Sequence, residues 1–205
     1  MKRILFLCLI FISGYSFAQK IFKQANAKGT WQYIYPFQGK SYVLAVQYGV
    51  NEKEQVVEDK NANIYFGKIG LKKDQVFWKE KIYAKLITGN VSYEDYNSDG
   101  IKDVLIFSET GARGGNAFYY LFLLDSKNKK ISKVKNFENI VNPEYNRKHH
   151  VVVSYGLSGT NNYSIYKISK ANKAYQIGES FEDTFDSDPT ELDKRIRKIL
   201  KKSVH

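Results

Sequence analysis

The chain has 205 residues, with 32 lysines and arginines against 21 aspartates and glutamates, a formal net charge of +11, 15% aromatic residues and a single cysteine. A lone cysteine excludes an internal disulfide framework and a zinc site built from several cysteines. The length is enough for one domain with its own core, and no glycine-, serine- or proline-rich linker divides the chain.

The first eighteen residues have the pattern of a secretory signal peptide. Two positive charges at 2–3 precede an apolar stretch, 4–12, that is too short to span a bilayer, and a small-x-small cleavage site follows at 16–18. Cleavage there would also remove Cys8, which rules out thiol catalysis in the mature chain. Residues 5–7 lack the small side chains normally found before a lipidated cysteine. We therefore expect a periplasmic or secreted product without a lipid anchor.

Alternation of β-branched or aromatic residues with polar ones predicts short strands along most of the chain. The predicted strands are 31–37, 42–50, 63–66, 75–87, 104–108, 117–124, 151–155 and 163–169. Clusters of turn-forming residues, such as 59–61 and 126–128, separate them, and no helical pattern intervenes. The sequence therefore predicts an all-β fold, an antiparallel meander arranged as a sandwich, a barrel or a reduced propeller-like array.

One α-helix is predicted at the C-terminus, over about residues 189–202. The segment Asp188-Pro189-Thr190-Glu191 combines a capping residue, a proline at the first helical position and an acid three residues after the cap. Apolar residues then recur at helical spacing, and lysines and arginines cover the other faces. We expect a helix that caps the sheet with a solvated basic face; an anchor for a membrane surface or an anionic polymer is the alternative. Residues 19–205 are thus predicted to form a single β domain.

The most specific string in the chain is residues 95–103, DYNSDGIKD, which fits the pattern D-x-N-x-D-G-x-x-D. Calcium needs roughly six to eight oxygen ligands, which alternate residues of a short loop can aim inward. Gly100 permits the sharp turn that such a loop requires. The same residue types favour turns, so an ion-free hairpin is the alternative. The predicted calcium ligands are the side chains of Asp95, Asn97, Asp99 and Asp103 and the main-chain carbonyl of Ile101.

Two glycine-rich segments follow this string. Residues 111–116 separate two aromatic-rich strands, and residues 155–163 are predicted to form a second loop between another pair. The first segment has neither the G-x-G-x-x-G spacing nor the following helix of a phosphate-binding loop. Arg113 carries a guanidinium in a loop of small residues, where it is well suited to bind a carboxylate on a partner.

No catalytic centre is predicted. The chain has no Gly-x-Ser-x-Gly string, and nothing in it selects two acids as a pair for glycoside hydrolysis. The adjacent His149 and His150 would point to opposite faces of a strand, so they are not predicted to share a metal. We therefore expect a protein without enzymatic activity.

The calcium string followed by an apolar strand resembles the loop repeated in FG-GAP and VCBS propeller blades, although it occurs here once. A longer stretch, 90–178, is similar to a family of exported bacterial proteins with one calcium loop in a reduced, propeller-like β fold. Members of that family act as periplasmic immunity proteins that inhibit lysozyme-like peptidoglycan hydrolases. The order that carries the resemblance is the calcium string, the strand to Ser108, the loop 111–116, the strand 118–125, the segment 141–145 and the segment 155–159.

The resemblance implies Ca²⁺ as cofactor, bound by the five residues named above, and a lysozyme-like hydrolase as protein partner. It also implies an inhibitory surface around the Ser158-Gly159 pair. The residues predicted for that surface are Arg113, Tyr155, Ser158, Gly159 and Tyr163. Loss of Lys2 and Arg3 with the signal would leave a net charge of +9, which opposes approach to a basic enzyme and favours a neutral or acidic target. A non-catalytic envelope module that binds anionic glycans or surface partners, and a hydrolase with unidentified acids, are the alternatives.

Overall fold

The computed structural model describes residues 20–23, 29–49, 60–184 and 189–203. Within these ranges the chain forms twelve β-strands in three four-stranded antiparallel sheets, followed by one α-helix. The predicted signal peptide, with Cys8, and the predicted capping residue Asp188 lie outside the described residues. The all-β class and the C-terminal helix are confirmed.

Each sheet is a meander in which every strand pairs with the next along the chain. Sheet 1 contains β1 (Thr30–Ile34), β2 (Tyr42–Tyr48), β3 (Ala62–Lys68) and β4 (Gln75–Ile82). Sheet 2 contains β5 (Val91–Glu94), β6 (Asp103–Gly111), β7 (Asn116–Asp125) and β8 (Lys130–Lys133). Sheet 3 contains β9 (Glu144–Asn146), β10 (Val151–Ser158), β11 (Thr160–Ile168) and β12 (Ala174–Glu182). Among these strands no sheet closes into a barrel.

The pattern of alternation misses four strands, β5, β8, β9 and β12, and all four are sheet edges. The first three are only three or four residues long, which is too short for a period of two to be visible. β12 is longer, but six of its nine residues are exposed and its apolar residues do not alternate with polar ones. The predicted strand 75–87 is also too long: after Ile82 the N–H of Ala84 donates to the Asn61 side chain instead of continuing the ladder.

The sheets pack in chain order, and alternate residues of sheet 2 supply two different cores. The even-numbered side chains Ile106 and Phe122 face sheet 1, where they meet Leu44, Ile64 and the other residues of the largest core. The odd-numbered neighbours in β6 and β7 face sheet 3. That second core contains Leu105, Leu121, Leu123, Phe137, Ile140 and Val152. Sheet 2 is therefore buried on both faces, which explains its nearly continuous apolar strands.

The outer faces of the two flanking sheets are covered by helical segments. A short 3-10 turn, Ile21–Lys23, places Phe22 over sheet 1, and α1 (Pro189–Lys202) covers sheet 3. Ile196 is fully buried, and Gly178 lies so close to the helix that a Cβ atom there would come within 2.9 Å of Ile199. α1 therefore caps sheet 3, as predicted. None of the helices in the described ranges is long and apolar enough to cross a membrane.

Candidate functional site

The first glycine-rich segment is a short connection between two long strands. β6 continues to Gly111, a 3-10 turn occupies Ala112–Gly114, and β7 begins at Asn116. Arg113 is exposed and adopts left-handed backbone angles, with φ +56°. Arg113 thus lies at the apex of a tight turn, where a partner protein can reach its side chain.

The prediction of a loop over residues 155–163 is wrong, because β10 and β11 continue through it as a hairpin. Strand pairing extends to Ser158 and Thr160, and Gly159, with φ +87°, lies at the tip. The side chain of Ser158 lies outside the described part of the chain. The sequence pattern does not predict this extension, because the segment consists mostly of glycine and polar residues and lacks apolar alternation. The two strands pair there through main-chain hydrogen bonds.

The two glycine-rich segments are joined by the side chain of Asn116. Its amide nitrogen donates to the carbonyl of Leu157 at 3.1 Å, and its amide oxygen accepts the N–H of Leu157 at 2.8 Å. Asn116 therefore bonds both main-chain groups of one residue in β10, as a neighbouring strand would. This contact ties the start of β7 to the end of the hairpin.

A second asparagine, Asn142, joins the same segments closer to their base. Its amide nitrogen donates to the carbonyls of Gly115 (3.0 Å) and Tyr155 (2.8 Å), and its amide oxygen accepts the N–H of Ala117 at 2.7 Å. We call residues 111–116 and 155–163, held together in this way, the loop–hairpin surface. Both glycine-rich segments thus lie side by side at one end of sheets 2 and 3.

The two tyrosines predicted for the partner surface pack along the hairpin rather than at its tip. Tyr155 and Tyr163 are cross-strand neighbours with ring centroids 4.7 Å apart, and Tyr163 stacks on Phe181 of β12 at 5.6 Å. The hydroxyl of Tyr155 donates to Asp183 Oδ2 at 2.9 Å, and this hydrogen bond raises the tyrosine pKa. Both rings are half-buried, so the exposed members of the predicted set are Arg113 and Gly159.

The predicted calcium loop is curled by hydrogen bonds between its own side chains and main chain. The Asp95 carboxylate accepts the N–H groups of Asp99 (3.2 Å) and Gly100 (2.9 Å), and Asp99 accepts the N–H of Ile101 at 2.8 Å. The Asn97 amide oxygen accepts the N–H of Asp99 at 3.1 Å. Among the described residues no group of three or more carboxylate, imidazole or thiol side chains is gathered closely enough to hold a metal ion.

The chemistry of the donor set nevertheless suits a hard cation. The side-chain donors of the set are carboxylate and amide oxygens, and each of these oxygens accepts one hydrogen bond in the described part of the chain, which leaves a second lone pair on each. Asp103 is fully buried at the start of β6, where it accepts the N–H groups of Tyr96 (2.9 Å) and Leu124 (3.0 Å). Burial, and to a smaller extent the nearby carboxylates of Asp99 and Asp95, raise the pKa of Asp103 to about 6 despite those two bonds. A bound cation would favour its ionised form, and the assignment of calcium stays a prediction.

The calcium loop also borders a cleft of about 510 Å³ that sequence reasoning did not find. Ser98 Oγ lies 2.7 Å from His150 Nδ1 and hydrogen-bonds to the Tyr145 hydroxyl, while Lys167 and Lys170 line the cleft beside them. Ser98 is 52 residues from His150 in sequence, so no local pattern could connect them.

The two adjacent histidines lie in the turn between β9 and β10, not on a strand as the sequence suggested. His149 bonds Asp193 of α1, and His150 faces the calcium loop. Their side chains therefore have different partners.

Removal of the Asn142 side chain should loosen the loop–hairpin surface. Because three hydrogen bonds are lost, we expect Asn142→Ala to lower the free energy of unfolding by about 2 kcal/mol and to speed hydrogen exchange at the Ala117 amide. Urea unfolding and native-state exchange measure the two effects. Asn128→Ala removes an exposed turn amide that bonds Asp125, and it should change neither quantity appreciably. Unchanged Ala117 exchange in Asn142→Ala would contradict the assigned role.

No protein-family model matches the chain, and no curated protein matches it. Among solved structures the chain is similar to one described as the structure of a Xanthomonas type IV secretion system related protein. The two chains are 17% identical, the match covers 78% of this chain and 85% of the other, and the TM-score is 0.45.

Proposed function

We propose that this chain is an exported, non-catalytic, calcium-binding protein that inhibits lysozyme-like peptidoglycan hydrolases. The observation that carries the proposal is the joining of residues 111–116 and 155–163 into one surface by Asn116 and Asn142. An inhibitor that enters an enzyme cleft gains affinity when its contact loops are already ordered, because less conformational entropy is lost on binding.

The proposed mechanism is competitive. Glycoside hydrolases of this kind cleave with a pair of carboxyl groups, one of which acts as a general acid. The exposed guanidinium of Arg113 would bind a catalytic carboxylate through two hydrogen bonds and withdraw it from the reaction. Gly159 at the hairpin tip has no side chain, so the main chain can approach the sugar-binding subsites closely.

Calcium would stabilise the fold rather than contact the enzyme. The five predicted ligands immediately precede β6 or open it, whereas the loop–hairpin surface begins at Gly111, where β6 ends. Nine residues of extended strand separate these ends by roughly 25 Å. A cation bound by Asp95, Asp99 and Asp103 would offset the mutual repulsion of their charges and hold the start of β6 in place.

The test is peptidoglycan lysis by a panel of acidic, neutral and basic lysozyme-like hydrolases, with and without the purified chain. Arg113→Gly removes the guanidinium but suits the left-handed backbone at this position, so the fold should persist. We expect this variant to raise the inhibition constant by roughly tenfold or more, since a lost charge-assisted hydrogen bond is worth about that much. Inhibition should be strongest for neutral or acidic enzymes.

Lys40→Gly is the matched control. Lys40 is also an exposed cation with left-handed angles, φ +50°, but it lies in the turn before β2 in sheet 1. The control should inhibit as the parent chain does. An equal loss of inhibition in both variants would show that Arg113 does not contact the enzyme. Absence of inhibition across the panel would overturn the proposed function.

A further inference from the structure

A cleft of about 520 Å³ lies between the edge strand β12 and the helix α1, and one of its lining residues, Phe181, also contacts Tyr163 of the loop–hairpin surface. The helix wall presents Arg195, Lys198 and Lys202, and the strand wall presents Glu179 and Ser180. The cleft therefore combines three positive charges with one negative charge and a hydroxyl group. Its lining is that of a site for an anionic ligand that also offers hydrogen-bonding groups.

The cations on this wall differ from their neighbours on the same helix. Elsewhere on α1, Lys194 pairs with Glu191 at 3.3 Å and Arg197 pairs with Asp193. By contrast, no carboxylate of the described residues forms an ion pair with a cation of the cleft wall. Arg195 lies over the ring of Phe181, with 5.8 Å between the guanidinium carbon and the ring centroid. A cation that is held in place by a ring rather than by a carboxylate can bind an external anion at little structural cost.

The spacing of these cations indicates a ligand with several anionic groups. Arg195, Lys198 and Lys202 are separated by three and four residues, so they form one stripe along the helix. The main-chain positions of the first and last are about 10 Å apart along the axis, so the three charges can contact anionic groups spaced along a ligand. An extended polymer with charges along its length fits this stripe.

The composition of the cleft favours a polysaccharide over a lipid surface or a nucleic acid. An in-plane membrane helix needs free apolar side chains, but Leu192, Ile196 and Ile199 of α1 pack on sheet 3. The carboxylate of Glu179 can accept hydrogen bonds from sugar hydroxyls, which the backbone of duplex DNA does not offer. We infer that the cleft between β12 and α1 is a binding site for a linear anionic polysaccharide.

The test is calorimetric titration of the full chain with a polygalacturonate oligomer at about 0.15 M ionic strength, where charges more than about 8 Å apart are largely screened. Lys198→Glu/Lys202→Glu should raise the Kd by tenfold or more, because two attractive contacts become repulsive. Lys194→Glu/Lys201→Glu makes the same change of charge on the same helix outside the cleft, and it should shift the Kd by less than about threefold. Melting temperatures of both variants show that the fold is retained.

A neutral polymer and a variant of the loop–hairpin surface serve as further controls. Neutral dextran should not bind, and Arg113→Gly should bind polygalacturonate like the parent chain, since Arg113 does not line the cleft. Equal weakening in both charge-reversal variants would show that binding depends on net charge rather than on the cleft, and it would overturn the inference. Duplex DNA or phosphatidylglycerol vesicles that bind as tightly, with the same dependence on Lys198 and Lys202, would overturn the assignment to a polysaccharide. Lack of polygalacturonate binding would also overturn the inference.

Discussion

Replacing Asp99 with alanine is expected to remove most of the difference in melting temperature between calcium and chelator. A ligand that binds only the folded state stabilises it by about 2.7 kcal/mol at a hundredfold excess over its Kd. Asp99 is the central acid of the predicted ligand set, and it is exposed, so its removal costs little packing. In chelator the variant should therefore melt close to the parent chain, and the loss should be confined to calcium-containing solution.

Asp125→Ala is the matched control for this measurement. Asp125 is also an acid whose carboxylate accepts hydrogen bonds within a turn, from the main chain and side chain of Asn128, but it lies at the end of β7 outside the calcium loop. Its variant should keep the full calcium response. An Asp99→Ala protein that still gains the parent's stabilisation from calcium would refute the calcium site.

Phe122→Ala should be the most damaging substitution in the core, with a loss of about 3–5 kcal/mol in the free energy of unfolding. Phe122 is fully buried on β7 and its ring stacks on Trp78 of β4, with centroids 6.1 Å apart. The contact therefore joins sheet 2 to sheet 1. Truncation removes apolar burial and leaves a cavity between two sheets that cannot move together without breaking their other contacts.

Phe77→Ala provides the comparison, because Phe77 is also an aromatic residue packed on other rings but is 43% exposed. We expect it to lose about 1 kcal/mol. Urea midpoints, with equal slopes to show that both variants unfold in the same way, measure the two values. Similar losses at both positions would mean that sheets 1 and 2 do not share the core described here.

The C-terminal helix is the element that its own residues specify most completely. Pro189 begins it, apolar residues at helical spacing form its buried face, and the structure places its bounds where the pattern predicted them. The longer central strands are specified in the same way, because burial on one or both faces leaves an alternating or continuous apolar pattern. Edge strands such as β12 face solvent and leave little such pattern, so they were missed.

The candidate sites differ in the same way, because one is formed by neighbouring residues and the other by segments that are distant in the chain. The residues of the calcium loop are contiguous, so a local pattern of oxygen donors is enough to nominate all five of them. The loop–hairpin surface depends on Asn116 and Asn142, whose partners are at most 41 residues away, and nothing in either neighbourhood marks these asparagines. Only the packing of sheet 2 against sheet 3 brings them to those carbonyls.

The sequence by itself therefore determined the class of the fold and the position of the helix, and it nominated the ligands of the predicted calcium loop, because each depends on residues that are close in the chain. The tertiary structure decided that 155–163 is a hairpin, that it lies against 111–116, and that three cations of α1 line a cleft. Such features follow from which sheet faces meet and in what register. That choice is governed by the burial of whole sheet faces, a property that no short segment carries.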